Sequence, residues 1–230
     1  MDGRFPRGIL YTLSNIPNAS SVDEFNYWYN YIHIPDLTDG GIVQQPTRYE
    51  MLSSTSDKFE GGRFLDIWEV DRIDIGEAVQ ESLGNLPLLR KLGRMWPVSN
   101  VVWSQPFRSI GPLTKPGGKC VTGILLALTR CTDPANEEEF NHWYDTVHVR
   151  HVLDTGLFHT GYRFESYYTP KTGEPKYLAI YETAAQDPAA AEAELISKHQ
   201  PQWRARREYS PYMEVVWRGC FRRIFPDPGK

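Results

Sequence analysis

Two histidines occupy the same place in two similar stretches of this chain, each preceded at four residues' distance by a tyrosine: Tyr29 and His33, then Tyr144 and His148. On a helix that spacing sets the two side chains one turn apart on one face. Imidazole, with a reference pKa of about 6.5, takes or gives a proton near neutrality. A phenol one turn away can orient it or hold a substrate oxygen, so the pair suits general acid–base work. At roughly 100° per residue, Phe25, Trp28 and Ile32 form an apolar stripe edged by Asn26, Tyr29 and His33. Phe140, Trp143 and Val147 beside Asn141, Tyr144 and His148 repeat it. Core packing explains Phe and Trp, but not an Asn, a Tyr and a His in both stretches. The competing account is that His33 and His148 are core histidines bonded to backbone carbonyls near a helix end.

The two stretches also differ. In Ile32-His33-Ile34-Pro35 the proline is expected to kink the helix just past the histidine and open space for a ligand, whereas Arg150, the counterpart of Pro35, imposes no kink. One residue on, Asp36 corresponds to His151, and both are candidate catalytic groups. His148 and His151 at i, i+3 lack a nearby acidic partner, so no metal site is expected. Arg48 and Glu50, like Arg163 and Glu165, stand two apart on an expected strand and share a face. Same-face ion pairing is the commoner reason for such a pattern. The two arginines are held as second-tier substrate-binding candidates with Asn26, Trp28, Asn141 and Trp143.

The elements that must position these residues come from a repeat. Residues Glu24 to Glu50 align without a gap to Glu139 to Glu165, at a constant offset of 115. The similarity extends to Gly8-Ile9-Leu10 with Gly123-Ile124-Leu125, and to Val101-Val102-Trp103 with Val215-Val216-Trp217. Each copy reads strand, helix, two strands, helix, strand, the split βαβ order of ferredoxin-like folds. Ser21 to Glu24 and Asn136 to Glu139 have the spacing of a capping box at the first helix, and Gly41 and Gly156 stand where it should turn. Pro87 and Pro201 should divide the second helix. A module spanning 1–110, a linker over 111–119 rich in Gly and Pro, and a module over 120–230 follow. Either sheet alone would leave a face uncovered, so the two modules are expected to close into one α+β barrel with the helices outside.

Composition narrows the partners. The 230 residues are 40% hydrophobic and 13% aromatic, as a packed globular chain requires. Lys and Arg number 25 against 29 Asp and Glu, and no basic run offers a phosphate stripe, which argues against nucleic acid. The longest apolar stretch, Val121 to Leu128, is far short of the roughly 20 residues of a membrane span. Neither a signal sequence nor a disulfide framework is suggested, and a cytoplasmic protein is expected.

The run Glu24-Phe25-Asn26-Tyr27-Trp28-Tyr29, followed by His33 and Pro35, resembles the signature of EthD-like proteins of the dimeric α+β barrel superfamily. Glu139-Phe140-Asn141, Trp143-Tyr144 and His148 form a weaker match, with Arg150 in place of the proline. The resemblance implies a dimer of modules made covalent here, with a ligand cleft between sheet and helices. It implies a cofactor-independent enzyme of lyase, cyclase or isomerase type acting on a small apolar or aromatic substrate, with histidine as base. A haem-dependent relative with His33 or His148 as axial ligand, and a non-catalytic small-ligand carrier, are the alternatives. A homodimer of the fused chain is a further expectation.

Overall fold

Alternating residues on the strands divide the chain into an inner and an outer set, as a period of two demands. In β1 (Gly8–Asn15), Ile9, Tyr11 and Leu13 enter one buried cluster while Leu10 enters another. In β3 (Phe64–Val70), Leu65 and Ile67 join the first cluster, and Phe64, Trp68 and Val70 the second. The same split recurs in β5 (Gly123–Cys131) and β7 (Tyr177–Thr183). The computed structural model, which describes residues 1–55, 62–97, 100–111, 114 and 118–228, shows what the split builds. The inner residues of both halves fill one barrel, and the outer residues of each half meet that half's helices.

The remaining strands are β2 (Gln44–Ser54), β4 (Asn100–Ser109), β6 (Thr160–Ser166) and β8 (Met213–Phe225). Their order around the closed barrel is β1-β3-β2-β8-β5-β7-β6-β4, and the pairs described are antiparallel. Each half thus forms a ferredoxin-like four-stranded sheet, and the two are fused into a pseudo-dimeric α+β barrel. Closure gives every strand a neighbour on both sides, which removes the exposed edges a lone sheet would present. Most of the expected linker, residues 112, 113 and 115–117, lies outside the described residues.

The first helix of the first half runs through α1 (Val22–Trp28), a π-helical segment Tyr29–His33 and α2 (Ile34–Thr38). The second half repeats it as α5 (Glu137–Trp143), a π segment Tyr144–His148 and α6 (Val149–Asp154). The π turn is therefore present with Pro35 and without it, and the expectation that only the first copy is distorted is corrected. In both, the backbone N–H five residues on closes the wide turn, from Ile34 to the Tyr29 carbonyl and from Val149 to that of Tyr144. The expected capping boxes are corrected too. Short 3₁₀ turns precede each helix, so the side chains that cap are Asn18 and Asp133, while Ser21 and Asn136 make no cap bond. Gly41 and Gly156 do end these helices in the left-handed region, at φ of 67° and 73°.

The second helix is divided at its proline in the first half, while the break expected at Pro201 in the second half is corrected. In the first half α3 (Ile75–Leu83) gives way to α4 (Leu86–Lys91) with Pro87 in its first turn. In the second, α7 (Pro188–Glu194), a π segment Leu195–His199 and α8 (Gln200–Ala205) follow without a break. No helix among the described residues is long and apolar enough to cross a membrane.

Gly8 and Gly123 begin β1 and β5 directly beneath the starts of α3 and α7. A Cβ on Gly8 would lie 2.5 Å from the Phe107 carbonyl oxygen and 2.8 Å from the Ile75 side chain; one on Gly123 would lie 2.5 Å from the Phe221 carbonyl oxygen. Alanine at either position should cost about 1–3 kcal/mol by overpacking, read as a lowered midpoint in thermal unfolding. A wild-type midpoint would mean that the helix start gives way without strain.

Candidate functional site

The π turn sets Tyr29 and His33 at its two ends, and both side chains are buried against the sheet. The His33 ring stacks on the Trp28 indole at 4.7 Å between centroids, meets the edge of Tyr29 at 4.9 Å and stands perpendicular to Trp68 at 6.3 Å. Trp28 is fixed in turn by its indole N–H, which donates to the Arg94 carbonyl at 2.8 Å. Packing, with no hydrogen bond from Tyr29, thus orients the imidazole. Nδ1 of His33 is buried without a hydrogen-bond partner, so the account of a carbonyl-bonded core histidine does not describe that nitrogen. Burial lowers the His33 pKa to about 4 against the pull of Asp36, with Arg48 adding to the lowering. The ring is uncharged at neutral pH.

The second half copies this arrangement. His148 stacks on Trp143 at 5.0 Å and meets Tyr144 at 4.8 Å, and Trp143 donates to the Glu208 carbonyl at 2.8 Å. Its Nδ1 also lacks a partner, and burial, with smaller contributions from His151 and Arg163, lowers its pKa to about 3.

The halves differ in the space in front of each histidine. His33 opens on a cavity of about 240 Å³ walled by Leu10, Phe25, Trp28, Leu37, Trp68 and Met95, with Thr12, Ser14 and Ser104 among its lining residues. His148 faces about 60 Å³. An engineered cavity of ~150 Å³ takes up one benzene ring, so the first space admits a molecule of one or two rings and the second a few waters. The register explains the loss. Trp203 stands where the first half has Leu89, Tyr209 where it has Met95, and Arg218 where it has Ser104, and each is the larger side chain. Trp203 and Tyr209 pack 6.2 and 5.7 Å from the His148 ring.

Arg48 and Arg163 lie fully buried between sheet and helix, with their guanidinium carbons 4.0 and 4.2 Å from the Tyr29 and Tyr144 ring centroids. The same-face pairing expected with Glu50 and Glu165 is corrected. Arg48 bonds Asp66 at 2.7 Å and the Asn30 amide oxygen at 2.7 Å, while Arg163 bonds Asp145 at 2.6 Å and Asn141 at 2.9 Å. Glu50 and Glu165 instead pair outward, with Arg63 and Arg222, and with Arg108 and Lys176. The positions exchange roles: Asn30 corresponds to Asp145, and Asp66 to Ala179. One buried cation is balanced from strand β3 in the first half and from the helix in the second. The choice matters, because Asp66 sits beside the Tyr29 hydroxyl at the cavity's edge. Burial raises the Asp66 pKa although Arg48 opposes the rise.

Asp36 and His151 are not brought to either cavity. Asp36 accepts two bonds from Arg94 at 2.6 and 2.8 Å, and His151 lies 3.4 Å from Glu208. Arg94 and Glu208 are equivalent positions, so one link is kept with its charges reversed, and it ties the first helix to the loop before the last strand. These two residues are latches by placement. Asn26 and Asn141 lie under the helix: Asn141 donates to the Tyr177 hydroxyl at 2.9 Å, whereas the Asn26 carbonyl oxygen is buried without a partner. Trp28 lines the cavity, while Arg48, Arg163 and Trp143 do not line either one.

Sequence reasoning passed over Asp66, Ser14, Thr12, Trp68 and Met95. Comparing the halves where they differ, as in Asp66 with Ala179, would have exposed the first of them. A space of about 240 Å³ is small for the four-pyrrole macrocycle of haem, and among the described residues no Lys or Arg lines it to meet the propionates, so the residues described do not fit that group. Among the described residues no group of three or more His, Cys, Asp or Glu could hold a metal ion.

A family model described as a domain of unknown function (DUF4286) matches residues 123–206. No curated protein sequence matches. Among solved structures, the chain is similar to a dye-decolorizing peroxidase from Bacteroides thetaiotaomicron, with TM-score 0.55, 10% identity, and coverage of 96% of this chain and 94% of that one. It is similar also to a mutant chlorite dismutase from Candidatus Nitrospira defluvii, with TM-score 0.56, 10% identity and coverage of 95% and 92%. An anthrone oxidase-like protein gives TM-score 0.52 and 7% identity over 97% and 94%. These likenesses are of fold.

Two expectations follow from the electrostatics. Asp66→Ala strands a buried guanidinium and should cost about 3–5 kcal/mol in urea unfolding; adding Asn30→Asp, which copies the second half, should recover much of it. A double variant no more stable than the single one would refute the exchange of roles. Both histidines have lowered pKa values, so as pH falls through about 6.5 the unfolded chain takes up their protons before the native one. Their contribution to stability is complete above that pH and is lost as pH drops toward about 4 for His33 and about 3 for His148. Urea midpoints between pH 7.5 and 4.5 should fall, and should fall less in a His33→Gln, His148→Gln double variant.

Proposed function

We propose that the first half is an enzyme site in which neutral His33 removes a proton from a small, mainly aromatic substrate held in the cavity, without a cofactor. The observation that carries this reading is an uncharged imidazole lining a space of about 240 Å³ with mostly apolar walls. A general base must be unprotonated, close to its proton and fixed in direction. The lowered pKa meets the first condition across the neutral range, and stacking between Trp28 and Tyr29 meets the third. A low pKa also makes a weak base, so the proton it takes must come from an activated position, such as a carbon next to a carbonyl. That chemistry leads to isomerisation, cyclisation, elimination or decarboxylation, the lyase or isomerase classes. The fold's solved members, among them a peroxidase and a chlorite dismutase, support an enzyme of some kind.

The second half keeps the same histidine without room for a substrate, and its role in this reading is to complete the barrel.

Hydrogen exchange at the α-carbon of one- and two-ring aryl ketones in D₂O, followed by NMR in chelator-treated buffer, tests the proposal. His33→Gln should slow exchange ~10²–10⁴-fold with unfolding unchanged at pH 7.5, and His148→Gln should leave the rate as it is. The wild-type rate should rise with pH through about 4 and level off before neutrality. Binding of the ketones without exchange would make the protein a carrier, and an undiminished rate in His33→Gln would remove the histidine from the chemistry.

A further inference from the structure

Resting on the reading of the first cavity as a ligand site, a feature of the sheet beneath it points to what the ligand carries. The barrel register sets Ser104 of β4 opposite Thr12 of β1, Thr12 opposite Asp66 of β3, and Asp66 opposite Arg48 of β2. Cross-strand partners share a face, so four polar side chains form one row across the sheet on the side of the helices. Thr12 and Ser104 hydroxyls lie 3.0 Å apart at the exposed end of the row, and both line the cavity. At the deep end the Asp66 oxygen Oδ2 is buried, with the hydroxyls of Tyr29 and Ser14 beside it. Ser14, next along β1, is 4% exposed, and its hydroxyl is closed off from the open space.

Core packing gives no reason for this row. Buried polar groups cost stability unless they are bonded, and the other half shows that the fold does without Thr12 and Asp66, although it keeps a buried, unbonded hydroxyl, that of Thr129, at the position of Ser14. There the equivalent row reads Arg218, Ala127, Ala179, Arg163 in the same register. The half that has lost its cavity has Ala at both central positions, and Arg218 at the mouth is turned to Glu192 at 3.2 Å. Polar row and open space occur together.

We infer that the row from Ser104 through Thr12 recognises an oxygen on the ligand, so that the site takes an aromatic molecule of one or two rings bearing a hydroxyl or keto group. The hydroxyls of Thr12 and Ser104 both donate and accept, so they suit a phenol and its keto tautomer alike. Asp66 is a positioning residue: it anchors Arg48 and stands beside the Tyr29 hydroxyl, fixing the deep end of the row. The apolar walls take the ring, and the row fixes which end of the molecule lies on the sheet while His33 faces it from the helix.

Isothermal titration with 2-naphthol and with 2-methylnaphthalene, which differ only in hydroxyl against methyl, tests this on the intact protein. The wild type should bind the naphthol roughly tenfold more tightly. Thr12→Val with Ser104→Ala should abolish that preference while leaving the hydrocarbon's affinity unchanged, and Thr12→Ser should retain it. Equal binding of both ligands by the wild type would overturn the inference and leave the cavity a ligand site. A preference that survives in the Thr12→Val, Ser104→Ala variant would overturn it likewise. Binding of neither ligand would overturn the ligand-site reading itself.

Discussion

A guanidinium buried between a sheet and a helix cannot be left without an anion, because removing the partner of a buried charge costs about 3–5 kcal/mol out of the 5–15 kcal/mol that hold a typical domain together. Arg48 and Arg163 impose this demand once in each half. Each lies over the ring of the tyrosine that begins the π turn, and so fixes Tyr29 or Tyr144 and, through ring contact, the histidine one turn later. Where the compensating carboxylate stands then decides what the sheet face is like. With the acid on β3 as Asp66, the face carries a polar row; with the acid on the helix as Asp145, the corresponding strand positions are free to become alanine.

The histidines answer to a second constraint. A wide π turn spends one backbone hydrogen bond in an unusual place, and such turns recur at functional sites. Here the turn persists in both halves although only one has Pro35, so the demand comes from the arrangement of Tyr, His and Trp rather than from the proline. Stacking holds the imidazole without engaging Nδ1, which is buried unpaired. The same burial keeps the ring uncharged.

The fold was legible because repetition is a strong signal: a gapless match at a fixed offset implies two like modules, and an uncovered sheet face in each implies that they close on one another. The helix carrying Tyr29 and His33 was legible for the same reason. What single-sequence reading could not supply was partnership across strands. Arg48 and Glu50 share a face by spacing, yet the cation's partner is Asp66, opposite it on a neighbouring strand, and only register reveals that. Asp36 and His151 looked like chemistry because they are ionisable and near a histidine. Their partners, Arg94 and Glu208, lie 58 and 57 residues on in the chain, where no local pattern marks them. The π turn was hidden by a proline that offered a simpler cause.

Fusion changes what the two halves are allowed to become. In a homodimer of single modules every substitution appears twice, so a side chain that fills one cavity fills both. In one chain, Trp203, Tyr209 and Arg218 can close the second cavity while Leu89, Met95 and Ser104 keep the first open. Filling a cavity with aromatic rings gains packing that an open site gives up, and about 60 Å³ is left before His148. The barrel joins the halves through one continuous core of inner residues, so packing gained on one side supports strands on the other. The open space before His33 can therefore be offset by the closure before His148.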